Sequence, residues 1–290
     1  MNRQYFILAI GVISVSFAAV FIRLAEEAPF LVIAAVRLCL ASLIIIPVAW
    51  ARSARELGHL PRKTVLLGLI SGGFLSLHFG FWIASLSYTS VATSVVMVTT
   101  TPIFVAIASY FLFHEKLTRP TVVGIVISII GAIIIGYGNW KLGPSPLFGG
   151  VLALLGALAV VGYLLIGRRL MRGIGLLSYI SLAYGSAAVI LLLSALAFGY
   201  SLVGYSSDTY LWLVLLAVVP QLIGHSSVNW SLRFMSATLV TVAILGEPVG
   251  ATALAFLILG EAPNLSEIGG GILILTGIFI AFRKSEIPQE

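Results

Sequence analysis

Ten apolar runs of about 20 residues constrain this chain more than any other feature of its sequence. A helical run of that length crosses a hydrocarbon core of about 30 Å. Lipid offers the backbone no hydrogen-bonding partner, so each run is predicted to be an α-helix. The predicted spans are 5–23, 29–50, 64–86, 90–113, 120–138, 147–167, 175–199, 209–232, 236–259 and 265–282. The first resembles a signal peptide but has the length of a full span, so we expect it to be retained.

The composition excludes a soluble fold. Hydrophobic residues make up 60% of the chain and charged residues 9%, whereas a soluble domain carries about 25% charged residues. The net charge of +6 does not indicate nucleic acid, because the basic residues lie in short loops. Cys39 is the single cysteine, which excludes an intrachain disulfide. We expect a lipid-facing protein with no nucleic-acid partner, no metal and no cofactor.

The basic residues predict how the chain is oriented. Thirteen lie in segments on the side of the termini and two, Arg23 and Lys141, on the opposite side. The thirteen are Arg3, Arg52, Arg55, Arg62, Lys63, Lys116, Arg119, Arg168, Arg169, Arg172, Arg233, Arg283 and Lys284. Such a bias places both termini in the cytoplasm, and the predicted location is a bacterial inner membrane. Segment 51–63 is expected to lie on the inner membrane surface.

The chain contains an internal repeat with an offset of half its length. Each copy has a histidine inside an apolar span, and His78 and His225 are 147 positions apart. Each also has a polar residue directly before a proline, in Thr101-Pro102 and Glu247-Pro248. Five spans per copy is an odd number, so the second copy must be inserted upside down. The predicted fold is an all-α membrane protein of ten transmembrane helices, built as two inverted five-helix repeats around a central cavity.

The two halves are expected to be 1–145 and 146–290. Inverted repeats of this kind are typical of secondary transporters, whose substrate site lies near the membrane midplane between the repeats. Further repeated segments, 111–118 (FLFHEKLT) and 257–261 (LILGE), follow the two proline motifs. Together these features resemble the EamA-type ten-helix members of the drug/metabolite transporter superfamily. In the second copy, Ala262-Pro263-Asn264 departs from that pattern.

The resemblance implies helices arranged around a central cavity, with spans 5 and 10 toward the outside. It also implies similarity to bacterial exporters of amino acids and related metabolites.

Glu247, halfway along span 9, is the leading site candidate, because a charge there costs about 2.5–3.5 kcal/mol. It would contact a substrate ammonium group or carry a proton; the alternative is a structural bond to a buried hydroxyl or to Arg37. Pro248 frees the Ile244 carbonyl and is predicted to distort the helix.

His78 and His225 occupy equivalent places in spans 3 and 8, where they either line the cavity or bond neighbouring helices. Gln221, His225 and Asn229 have i, i+4, i+8 spacing, which predicts one inward-facing polar stripe. Thr100 and Thr101 either line the cavity or bond carbonyls freed by the proline. Deep aromatic residues either stack on a planar or cationic substrate or fill space. The predicted substrate-binding residues are Phe17, His78, Trp82, Thr100, Thr101, Tyr163, Gln221, His225, Asn229, Trp230 and Glu247.

Structural roles are expected for Arg37 and for the helix-end residues Glu115 and Glu261. The predicted function is a secondary transporter, an exporter of small polar or amphipathic metabolites, above all amino acids including aromatic ones. No G-x-x-x-x-G-K-[ST] motif occurs, so ATP does not drive transport directly. Proton coupling is a hypothesis, and we expect a monomer or a weak homodimer in the bilayer. One alternative is a passive channel or facilitator. The other is an intramembrane serine hydrolase that uses Ser226 or Ser227 with His225, although the sequence around these serines has no G-x-S-x-G elbow.

Overall fold

The computed structural model describes residues 3–115, 117–138, 143–260 and 262–282. Within these ranges the regular structure is helical throughout. The α-helices are α1 Arg3–Leu24, α2 Phe30–Gly58, α3 Arg62–Leu86, α4 Val91–Val98, α5 Thr101–Phe113, α6 Arg119–Gly138, α7 Pro146–Leu170, α8 Leu176–Ala197, α9 Ser207–Leu216, α10 Ser226–Ser231, α11 Ala237–Ile244, α12 Glu247–Leu259 and α13 Leu265–Phe282. A π-helical segment, Ala217–His225, joins α9 to α10. These helices form ten stretches long and apolar enough to cross a membrane, which confirms the predicted all-α membrane fold.

Segment 51–63, expected on the inner membrane surface, is largely helical. Helix α2 continues through most of it and bends at Ser53, whose φ of −134° and ψ of 22° leave the helical range. The Glu56 carboxylate near the end of α2 accepts hydrogen bonds from the Gly175 amide, 2.7 Å away, and from the Ser178 hydroxyl. The end of span 2 is therefore fixed to the beginning of α8, which a sequence pattern alone does not reveal.

Spans 4 and 9 are each broken near their middle, at equivalent places. In span 4, α4 has 8 residues and α5 has 13, and the same two lengths recur in α11 and α12. Pro102 and Pro248 lie in the first turns of α5 and α12, where a missing N–H breaks no helical hydrogen bond. The distortion predicted at Pro248 is therefore present as a break between two helices. Because span 9 is the fifth span after span 4, the two broken spans run in opposite directions through the protein.

Both broken spans also begin and end in the same way. The Ser90 and Ser236 hydroxyls accept hydrogen bonds from backbone amides in the first turns of α4 and α11, at 3.1 Å and 3.2 Å. At the other ends, His114 and Gly260 adopt left-handed conformations with φ of 54° and 71°. Glycine adopts this conformation freely, whereas an L-residue is strained by roughly 1–2 kcal/mol. The backbone therefore repeats even where the residue type differs.

Spans 5 and 10 pack closely against each other through α6 and α13. A Cβ atom added to Gly131 would lie 2.9 Å from the Cβ atom of Leu273, closer than real Cβ contacts permit. The Ser128 hydroxyl donates to the Ile274 carbonyl at 3.2 Å, and these residues are 146 positions apart. That separation equals the offset between the two broken spans, so the hydrogen bond joins equivalent positions of the two halves. Outward faces of this helix pair expose large apolar side chains, among them Val122, Val126, Ile133, Ile272 and Phe279.

The first and last helices meet at one end of the protein. The Tyr5 and Phe282 rings lie 5.8 Å apart, centroid to centroid. We call this the termini end and the opposite one the far end. The arrangement follows from an even number of spans.

Candidate functional site

A cavity lies between the two halves. His78, Trp82 and Thr101 line it from the first half, and His225 and Glu247 line it from the second. Much of the remaining wall is apolar, with Val15, Ala18, Val98, Val160 and Leu164 among its residues. The three ionisable residues singled out in the sequence therefore share one space.

Glu247 is the first residue of α12 and is 8% exposed. The first turn of a helix has unbonded N–H groups and a positive partial charge, which favour a carboxylate there. Among the described residues the Glu247 carboxylate makes no hydrogen bond, and no cationic group lies within 4 Å of it. Its anticipated structural partner, Arg37, bonds Gln221 instead. The carboxylate is thus available to the cavity.

His78 lines the cavity and also joins two helices, so both alternatives raised for it hold. Its Nδ1 atom lies 2.9 Å from the Gly156 carbonyl oxygen of α7. A carbonyl can only accept, so Nδ1 carries the proton, and Nε2 of the neutral ring is an acceptor. The His78 ring stacks on Trp82 with centroids 6.0 Å apart and planes 10° apart. Trp82, almost fully buried, thereby presents a flat surface beside the imidazole.

The predicted polar stripe of span 8 separates into three environments. The π-helical segment contains Pro220 and ends at His225, and its i→i+5 pattern changes the register that i, i+4, i+8 spacing assumes. Of the stripe, His225 lines the cavity. Gln221 and Asn229 are fully buried but bond other side chains. The Asn229 amide donates to the Tyr163 hydroxyl.

A network of buried tyrosines connects four spans next to the cavity. Asn229 donates to Tyr184 at 3.4 Å as well as to Tyr163. The Tyr179 hydroxyl donates to the Tyr163 carbonyl at 3.3 Å and lies 2.8 Å from the Ser71 hydroxyl. Tyr163 is therefore held in this network and is not part of the cavity wall. Its predicted contact with substrate stays a prediction.

Three other predicted residues lie outside the cavity wall. Phe17 packs on Phe21, with ring centroids 5.4 Å apart. Trp230 lies 4.5 Å from the Phe234 ring and 5.7 Å from the Arg3 guanidinium, near the termini end. The third is Thr100.

The threonines before Pro102 satisfy backbone carbonyls of the preceding turn. Thr100 donates to the Met97 carbonyl at 2.7 Å, and Thr101 donates to the Val98 carbonyl at 2.6 Å. Thr101 lines the cavity, whereas Thr100 does not. Local bonding of this kind is expected where helical hydrogen bonding is interrupted.

Sequence reasoning missed several residues around the cavity. Thr241 contributes to its wall. Phe79 lies behind it, fully buried, with its ring 5.2 Å from that of His225. Phe79 directly follows His78, so the sequence indicated that it lies near the site. A phenylalanine in an apolar span, however, gives no indication of a functional role. Ser226, considered as a nucleophile, bonds the Tyr184 hydroxyl at 3.3 Å.

At the termini end Arg168 contacts both halves of the protein. The Arg168 guanidinium donates to the Leu232 carbonyl at 2.6 Å and lies 3.7 Å from the Glu115 carboxylate. Arg168 itself belongs to α7, which extends beyond the predicted span end. Glu261, Lys116, Lys141, Arg283 and Lys284, named in the sequence predictions, lie outside the described residues.

A wide vestibule of about 1770 Å³ occupies the far end. Arg23, Leu86, Pro248 and Glu267 are among the residues that line it. Pro248 follows Glu247 directly, so the vestibule and the central cavity lie on neighbouring parts of α12. An ion pair between the halves thus lies at the termini end, and the vestibule lies at the far end.

Glu27 fixes the loop between spans 1 and 2 to the beginning of α9 at the far end. Its carboxylate accepts hydrogen bonds from the Thr209 hydroxyl at 2.6 Å, the Ser206 hydroxyl at 2.7 Å and the Ser206 amide at 3.0 Å. These bonds, that from Thr209 most strongly, lower the pKa of the exposed Glu27 carboxyl. Burial of the nearby Tyr205 hydroxyl raises its pKa.

Comparison with known proteins places this architecture in context. The profile of the EamA-like transporter family matches residues 2–137 and again residues 147–283. The uncharacterized transporter YdfC of Bacillus subtilis is 24% identical over 214 residues, 73% of this chain and 70% of YdfC. An uncharacterized transporter of Clostridium kluyveri is 26% identical over 249 residues, covering 82% of this chain and 76% of its own.

An uncharacterized transporter of Archaeoglobus fulgidus is 24% identical over 274 residues, 93% of each chain. One crystal structure of a protein superimposes with a TM-score of 0.79 at 20% identity, over 97% of both chains. At that identity the superposition shows a shared fold alone.

Proposed function

Because this chain belongs to the EamA-like transporter family, we propose that it is a secondary transporter that exports amino acids and related small amphipathic metabolites. Family membership makes it a multi-pass membrane transporter and not an enzyme. The observation that carries the finer proposal is the central cavity, where a buried carboxylate and two imidazoles meet apolar and aromatic walls.

The cavity suits a small substrate with one polar and one apolar end. Its lining combines a carboxylate and two imidazoles with apolar side chains, and a few polar groups on apolar walls are typical of ligand pockets. Glu247 offers a carboxylate to an ammonium group, and the stacked His78 and Trp82 rings offer a flat surface to an aromatic or apolar side chain. Aromatic amino acids have both an ammonium group and a flat apolar side chain. The lining of the cavity therefore supports amino acids as the substrate class.

Alternating access is proposed from the repeat and from the unequal ends of the protein. In inverted-repeat transporters the two halves exchange conformations around a fixed site. Gly11 and Gly156, 145 positions apart, both sit where helices approach closely, and the same offset makes Arg23 the counterpart of Arg168. We expect Arg23 to join the two halves at the far end, as Arg168 does at the termini end. Spin labels at positions 23 and 87 should approach each other when substrate is added, and unchanged distances would contradict this mechanism.

The cytoplasmic location of the termini is proposed from charge, and the export direction from the resemblance to bacterial exporters. Exposed Arg52, Arg55 and Arg172 lie toward the termini end, which the positive-inside rule assigns to the cytoplasm. Cysteines introduced at position 172 and at position 201 should react selectively from the cytoplasmic and external sides in cells, in a background with Cys39 replaced by Ala. The opposite pattern of labelling would overturn the orientation in a bacterial inner membrane.

The direct test is transport in proteoliposomes. Radiolabelled amino acids should show saturable uptake and counterflow, whereas a passive channel shows neither. Glu247→Gln should abolish transport at normal expression, and Asp208→Asn is the matched control, because Asp208 is an exposed acid at the start of α9. Normal transport by Glu247→Gln would return Glu247 to a structural role. Repeating uptake with and without a pH gradient tests proton coupling, and an unchanged rate and accumulation would remove it.

A further inference from the structure

Arg37 of α2 is a buried cation whose hydrogen-bonding capacity is largely unused. Its side chain is 0% exposed, and its Nε atom donates to the Gln221 amide oxygen at 2.8 Å. Neither Nη1 nor Nη2 has a hydrogen-bond partner among the described residues. A guanidinium has five N–H donors, so four remain unpaired. A purely structural arginine would be expected to have them satisfied.

No carboxylate neutralises this charge within the described part of the protein. The ion pairs found there are Arg23–Glu26 and Arg168–Glu115. A buried charge without a partner is strongly destabilising, which is why buried ions in membrane proteins are usually paired or functional. Arg37 therefore calls for an anion that is supplied from elsewhere, at least in part of the transport cycle.

The Arg37 guanidinium lies against Phe79, which packs behind the histidines of the cavity wall. Its central carbon is 4.1 Å from the centroid of the Phe79 ring. The same ring lies 4.9 Å from His78 and 5.2 Å from His225, both of which line the cavity. One aromatic ring thus separates the positive charge from the cavity side chains.

Electrostatic interaction carries across this short distance. Arg37 interacts with Glu247, His78 and His225 without touching their ionisable groups. Away from water, charges are weakly screened, and their interaction extends over several ångströms. An anionic group in the cavity is therefore stabilised by Arg37 even with Phe79 in place.

We propose that Arg37 is a specificity-determining residue that makes the central cavity select substrates carrying a carboxylate. The guanidinium attracts the substrate carboxylate from behind Phe79, while Glu247 receives the ammonium group. This inference rests on the proposed function, since it concerns the same cavity. It assigns the carboxylate of an amino acid to Arg37 and its ammonium group to Glu247.

The test compares binding of three probes to purified protein by calorimetry: L-phenylalanine, phenethylamine, which lacks the carboxylate, and 3-phenylpropionate, which lacks the amine. Wild-type protein should bind phenylalanine at least tenfold more tightly than phenethylamine. Arg37→Met should bring that ratio close to one, whereas Arg37→Lys, which keeps the charge, should retain most of it. An unchanged ratio in Arg37→Met would overturn the inference.

Two further variants separate this role from the alternatives. If Arg37→Met does not fold, Gln221→Leu removes the one hydrogen bond that positions the guanidinium, and it should reduce the carboxylate preference; an unchanged preference counts against the proposal. Glu247→Gln should weaken phenethylamine binding and leave 3-phenylpropionate binding intact. If instead the effect of Arg37→Met disappears in the Glu247→Gln background, the partner of Arg37 is Glu247 and not the substrate, which also overturns the inference.

The outcomes distinguish failure of the inference from failure of the proposed function. Wild-type protein that binds none of the three probes overturns the amino-acid proposal and the inference with it. Wild-type protein that binds phenylalanine and phenethylamine equally overturns the inference alone.

Discussion

Replacing Gly131 with alanine should destabilise the protein through the contact between spans 5 and 10. The added Cβ atom would lie 2.9 Å from the Leu273 Cβ atom and 3.0 Å from the Ile274 amide nitrogen. Both groups belong to a helix that cannot move aside locally. Overpacking of this kind typically costs 1–3 kcal/mol, and the better helix propensity of alanine offsets about 0.5–1 kcal/mol. We therefore expect a net loss of about 1–2 kcal/mol in the free energy of unfolding.

The matched control is Gly269→Ala in α13, where an added Cβ atom meets nothing within 4 Å. With no steric conflict, this variant should gain about 0.5–1 kcal/mol. Unfolding by SDS in mixed micelles, followed by circular dichroism, compares both variants with wild-type protein. If Gly131→Ala were as stable as Gly269→Ala, the two helices would not pack as closely as described.

Three further substitutions test features of the helix ends and loops. His114→Gly should raise the free energy of unfolding by about 1 kcal/mol, because glycine relieves the left-handed backbone at φ 54°; a loss of stability would contradict that strain. Asn264→Ala should cost about 1 kcal/mol, because the Asn264 side-chain oxygen caps the start of α13 by accepting a hydrogen bond from the Glu267 amide at 2.9 Å. An unaffected SDS midpoint would refute this cap. Glu27→Gln should be less stable than wild-type protein at pH 7. Since the pKa of Glu27 is lowered from 4.5, its stabilising effect is present above that pH and is lost as the pH falls below it; a difference that persisted into acid would argue against the carboxylate.

The membrane fold was predictable because the solvent leaves few alternatives. In lipid every apolar run must satisfy its own backbone, so hydropathy alone located ten spans. The repeat was visible in the matched segments before and after Pro102 and Pro248. The extension of α2 past residue 50 was not predictable, because it depends on a contact between Glu56 and the start of α8.

The candidate site was predictable where burial of a residue is costly. His78, His225 and Glu247 stood out as polar groups in apolar spans, and all three line one cavity. Gln221 and Asn229 are buried, as the predicted inward-facing stripe requires, but which side chains they would bond could not be inferred from periodicity. The unusual surroundings of Arg37 required coordinates, since a sequence shows that a charge is buried but not whether it is paired.

The breaks in spans 4 and 9 make the backbone around the cavity nearly two-fold symmetric, but the side chains at the two breaks differ. Thr101 and Glu247, 146 positions apart, are the first residues of α5 and α12 and face the same cavity. The backbone treats them as equivalents, yet one presents a hydroxyl and the other a carboxylate. A ligand between them would meet a hydroxyl on one side and a carboxylate on the other, although the framework around it is nearly symmetric.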